Sequence, residues 1–293
     1  MSTLFVIALF FILWPIVWTP VGIVLAYSLR LNPLQSLSPL QKLPFVVSLY
    51  ALAPLVLAAV LSWSNLSWVS VGVSRSDLLS GTFALGLGVS VVSIVSLFSL
   101  FWCLGWIQFN RHSLHRNSFQ SEDASVPISP NENVSSVPLE PISSSLSPLV
   151  LIPSFLFLGV IVGGVEELIF RGFLTGQLWE ICPVWMAGAI ASLIFALLHL
   201  VWEGTENIPQ LPGLWVMGMV LTVAWWIDDH AIALAWGLHA GWVWSVATFD
   251  ALELVEYTHA VPAWVTGIDN RPLAGIMGVG ALVLTGLGLE LFL

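Results

Sequence analysis

Eight continuous apolar runs dominate this chain, at about residues 3–29, 44–63, 79–108, 149–175, 184–202, 211–227, 231–249 and 272–292. Each is near the roughly twenty residues that a helix needs to cross the hydrocarbon core of a bilayer. Lipid offers backbone groups no partner, and the runs are continuous rather than alternating, so the spanning elements must be helices. The expected fold is therefore all-α: a polytopic membrane helix bundle of about eight transmembrane helices, an integral multi-pass protein embedded in the lipid bilayer. Composition agrees, with 58% hydrophobic and 8% charged residues, and sixteen Trp suit interfacial belts.

The first run holds Pro15 and Pro20, which predict a kink. It lacks the basic start and small-residue cleavage site of a signal peptide, so it reads as a retained span. The sixth and seventh runs are separated only by Asp228, Asp229 and His230, which predicts a tight polar turn. Under an eight-span count Arg30, Lys42, Arg111, Arg116 and Arg271 share one side and Arg75 falls opposite. The positive-inside rule makes the first side cytoplasmic or its equivalent, with both termini facing away.

Residues 110–148, rich in Ser, Pro, Asn and Glu, read as a disordered hydrophilic linker. The expected organisation is an N-terminal three-helix membrane region at 1–109, the linker, and a five-helix domain at 149–293. Two sequons, at Asn65 and Asn133, match no more than chance would supply. The net charge of -10, with only seven Lys and Arg, argues against nucleic acid as a partner. Cys103 and Cys182 are far apart and carry no metal spacing.

The stretch Gly163–Leu174, GGVEELIFRGFL, puts two glutamates and an arginine into otherwise lipid-soluble helix. An unpaired charge at mid-bilayer costs about 3 kcal/mol on insertion scales, so these three need partners or a water-filled cavity. Glu167 and Arg171 are four apart, acid before base, and can pair along one face. Glu166 lies about 100° around the helix and has no partner within it. It is the candidate to activate water as a general base. His199, four residues after Phe195, and His239 each sit in the middle of a later run, and polar atoms on spanning helices face the bundle interior. Glu166, His199 and His239, one carboxylate and two imidazoles from three helices, thus form the expected convergent site, with Glu167 and Arg171 as a structural pair and Phe195 on the same face as His199. His112, His115, His230 and His259 fall in loops, where solvation is expected.

This pattern resembles the CAAX prenyl protease and bacteriocin-processing group of intramembrane proteases, also called the abortive-infection family. Its motif of two glutamates, three residues and an arginine is matched by Glu166, Glu167 and Arg171. Its phenylalanine, three residues and histidine are matched by Phe195 and His199, and its later histidine by His239. The resemblance covers about residues 150–290. It implies hydrolysis of a peptide bond in a membrane protein or lipidated peptide substrate without an acyl-enzyme. In that scheme Glu166 acts on a water that His199 also binds, and His239 stabilises the tetrahedral intermediate. No cofactor is expected, although two histidines and a carboxylate are also a common zinc set and that alternative stays open.

The family commonly has an asparagine four residues after the last histidine, where this chain has Val243. Neither the Trp242 indole nor the Ser245 hydroxyl lies on quite the same face. Val243 favours the alternative reading, a catalytically silent member acting as a membrane scaffold or assembly factor. A transporter would reuse the buried carboxylate as a relay, but the chain lacks the inverted repeats expected of one.

Overall fold

The computed structural model describes residues 2–31, 37, 39–73, 81–110 and 147–293. Nearly all of the hydrophilic 110–148 segment lies outside them, as do Arg75, Arg111, His112, His115, Arg116 and the Asn133 sequon. Among the described residues are eight long helices: α1 (Thr3–Ser28), α2 (Pro39–Ser64), α3 (Gly81–Cys103), α4 (Pro148–Trp179), α5 (Val184–Glu203), α6 (Leu211–Ile227), α7 (Ala233–Ala251) and α8 (Ile276–Phe292). Six stretches are long and apolar enough to cross a membrane, the α6 one starting at Thr205 in a 3-10 turn, and α8 is a shorter apolar helix. The fold is an all-α polytopic bundle. Exposed leucines, isoleucines and valines cover its outside, while a single core cluster runs from Phe10 of α1 through Phe101, Phe173, Phe195 and Leu238 to Leu289 of α8.

Helices in lipid gain little from burying apolar surface against one another, so close backbone approach at small residues carries the packing. The α3–α7 seam is built this way. A Cβ at Gly237 would lie 2.1 Å from the Phe83 carbonyl oxygen, and one at Gly86 would lie 2.4 Å from that of Leu234. Between α4 and α7, Gly159 and Gly163 face the Ala240 backbone at 2.7 and 3.2 Å by the same measure. Between α5 and α6, Gly188 meets Thr222 and Gly218 meets Ser192. These seams bring α4, α5, α6 and α7 within side-chain reach of one another.

The connection between α6 and α7 is the tight polar turn expected at residues 228–230. Asp229 and His230 take left-handed backbone angles, and the Asp228 carboxylate accepts the Leu234 N–H at 2.9 Å to cap α7. Lys42 donates to the Trp202 carbonyl, and Arg271 to Asn207, so both basic residues share the end of the bundle where α5 passes into α6.

Two features depart from the sequence reading. The apolar run at 79–108 stays helical only to Cys103. After a turn at Gly105 it forms a strand, β1 (Ile107–Phe109), paired antiparallel with β2 (Val255–Tyr257), so that the ends of α3 and α7 are tied by a short ribbon. His230, expected to be solvated, is half-buried among Trp179, Trp225 and Trp226, with its ring stacked on Trp179 at 4.5 Å. An imidazole enclosed by three indole rings finds apolar faces more readily than water.

Replacing Gly237 by Ala would drive a methyl into the Phe83 carbonyl, and overpacking of this kind costs about 1–3 kcal/mol. Thermal unfolding in detergent should show that loss for Gly237→Ala. It should show none for Gly280→Ala, where a Cβ meets nothing within 4 Å.

Candidate active site

The polar centre of the bundle begins on α4. Its α-helical part ends at Glu167, and Leu168–Thr175 follow as a π-helix, with the Thr175 hydroxyl donating to the carbonyl of Phe170 five residues back. Extra residues per turn rotate the following side chains inward, and all eight residues of this segment are buried. Gly172 lets this segment pack directly on the backbone at Val71, since a Cβ there would fall 2.3 Å from the Val71 carbonyl oxygen.

The segment holds Glu167 and Arg171 together as the sequence spacing predicts. Arg171 Nη1 donates to Glu167 Oε1 at 2.8 Å, with the two residues 1% and 0% exposed. Arg171 Nη2 donates to the Gly218 carbonyl at 3.1 Å, and the guanidinium carbon stands 4.9 Å from the centre of the Phe195 ring. This buried cation is thus met by an anion, a carbonyl and an aromatic ring. The same Glu167 oxygen also meets Nδ1 of His239 at 2.7 Å, while Oε2 has no hydrogen-bond partner among the described residues.

His239, 2% exposed, lies between the two glutamates. Its Nε2 is 3.3 Å from Glu166 Oε2, and the other Glu166 oxygen accepts the hydroxyl of Tyr50 from α2. With Nδ1 donating to the Glu167 carboxylate, the contact between Nε2 and Glu166 requires one proton, on the imidazole or on the carboxyl. On either group it leaves Glu166, Glu167, His239 and Arg171 neutral overall, as a dry interior demands.

His199 is half-buried on α5 and pairs with neither glutamate. Its Nδ1 is 2.9 Å from the Phe195 carbonyl oxygen. A carbonyl only accepts, so Nδ1 carries the proton and Nε2 of the neutral ring keeps a free lone pair. Phe195 links the histidines, lying edge-on to His199 at 4.7 Å and to His239 at 5.9 Å. Trp242 donates to the Ser93 hydroxyl of α3, away from this cluster. Tyr50 is the residue that sequence reasoning missed. Its only signal was a tyrosine inside the apolar run SLYALAP.

Residues 148–245 match one family model, described as Rce1-like, type II CAAX prenyl endopeptidase. That segment is an Rce1-like domain. No curated protein and no solved structure matches the chain. The Rce1-like domain holds both glutamates, Arg171, Phe195 and both histidines, and its family points to a protease working in a membrane on membrane-associated substrates. Tyr50 lies outside it.

Removing one partner of a buried pair strands the other, at a cost of about 3–5 kcal/mol. Arg171→Leu and Glu167→Gln should each lose stability on that scale in detergent unfolding. The double variant should lose clearly less than the two losses added together.

Proposed function

We propose that this chain is an intramembrane endopeptidase that hydrolyses a peptide bond of a prenylated or otherwise membrane-associated substrate by direct attack of water. Glu166 is the general base, and the observation that carries the reading is its buried carboxylate lying 3.3 Å from Nε2 of His239. Held by a donor at each end, the carboxylate keeps outer lone pairs for a water molecule. That water also reaches the free Nε2 of His199.

In the reaction an O–H bond of water breaks as its proton passes to Glu166, and the oxygen bonds to the substrate carbonyl carbon. Once protonated, Glu166 accepts less strongly, which frees the Nε2 proton of His239 to meet the oxyanion. The proton on Glu166 then passes to the leaving nitrogen as the C–N bond breaks. Glu167 and Arg171 keep His239 in the tautomer and orientation this requires.

No metal enters this scheme. Both nitrogens of His239 are directed at carboxylates, and neither offers a lone pair to zinc without giving up a partner.

The purified full chain, given a panel of prenylated and membrane-embedded peptides, should cleave at least one of them. Glu166→Gln should lower the rate by about 100-fold or more in protein that still unfolds in a single cooperative transition, and chelator should have no effect. Full activity in Glu166→Gln would remove the general base. Equal function of this variant and wild type in cells lacking the protein, without cleavage by either, would establish the scaffold instead.

A further inference from the structure

We propose that Tyr50 of α2 is a positioning residue for the general base, so that the active site extends beyond the Rce1-like domain into the N-terminal helices; this rests on Glu166 acting as proposed above. The Tyr50 hydroxyl donates to Glu166 Oε1, while Nε2 of His239 stands 3.3 Å from Oε2. Donors from two different helices therefore define the plane of the carboxylate. With Tyr50 absent, Glu166 is tethered at one oxygen and can turn about that contact.

The surrounding structure holds Tyr50 in place. The indole of Trp14 donates to the carbonyl of Leu49 at 2.9 Å, and that of Trp18 donates to the hydroxyl of Ser48 at 3.0 Å. Two tryptophans of α1 thus grip the two residues that precede Tyr50. Pro54 follows four residues later inside the same helix and has no N–H to give the Tyr50 carbonyl, so the regular ladder is broken at this point. At its N-terminal end α2 is fastened to α5 through the 2.6 Å bond from Lys42 to the Trp202 carbonyl, and the Trp18 ring lies edge-on to Trp202. These contacts fix α2 against the helix that carries His199.

During the reaction Tyr50 keeps its proton. While Glu166 is a carboxylate, the hydroxyl orients it toward the water. When Glu166 takes the water's proton its own negative charge is discharged, and the hydroxyl continues to hold the carboxyl group in place.

The test uses the full chain with a substrate that wild type cleaves. Tyr50→Phe should lower kcat by about 10–100-fold, the loss expected for one hydrogen bond to a charged group, with KM changing by less than about twofold and thermal unfolding preserved. A fluorinated tyrosine incorporated at position 50 keeps the ring and alters only the acidity of the hydroxyl, and it should displace the pH profile of kcat. Wild-type kcat in Tyr50→Phe, or a loss confined to KM, would overturn the proposal, as would a pH profile indifferent to fluorination. If Glu166→Gln is inactive and Tyr50→Phe is not, the role of Tyr50 fails while the general base survives. If Glu166→Gln is active, both fail.

Discussion

A single carboxylate oxygen organises the centre of this protein. Oε1 of Glu167, with no measurable exposure, receives Arg171 from its own helix and His239 from α7. In a low-dielectric interior neither cation nor imidazole is stable alone, and the shared anion obliges α4 and α7 to meet at one register. The glycines of the seam make that meeting sterically feasible, because Gly163 faces the backbone of Ala240 next to His239. Once His239 is placed, its other nitrogen reaches Glu166. The adjacent glutamates therefore divide into an inner anchor and an outer group, the one we propose as the general base.

The remaining helices complete this arrangement from outside. Gly218 of α6 supplies the carbonyl that receives the second Arg171 nitrogen, and α5 contributes the Phe195 ring beneath the guanidinium. The N-terminal helices have a part in it too. Phe10 of α1 packs edge-on against Phe173 in the π-helical segment, and Tyr50 of α2 closes on Glu166. An Rce1-like domain at 148–245 thus works inside a larger bundle, with α1 and α2 packed along the helix that carries its glutamates.

Much of this was legible in the sequence. Spanning runs are marked by continuous apolarity, and each of the eight contains a long helix. The Glu167–Arg171 pair followed from spacing alone, because helical periodicity fixes which side chains share a face. The π-helical segment was not legible, since the pattern of apolar residues does not tell five-residue from four-residue backbone bonding, and its fit against Val71 is a tertiary matter. The ribbon joining α3 to α7 was hidden because three-residue strands carry no periodicity. His230 was read as a loop residue, and its burial depends on Trp179, some fifty positions away in sequence. Tyr50 went unseen for a similar reason. A lone tyrosine in an apolar run carries no spacing signal, and its meaning arises only when α2 is set against α4.

In the proposed mechanism water attacks the substrate directly, activated by a carboxylate that never bonds to the acyl group. Partitioning in the presence of hydroxylamine tests it most directly. Cleavage of a membrane peptide should yield only the free carboxylate, at every hydroxylamine concentration that leaves the protein folded, because no acylated enzyme forms for the amine to intercept. A product hydroxamate rising with hydroxylamine would show that an enzyme group had taken the acyl chain, and would contradict the role given to Glu166.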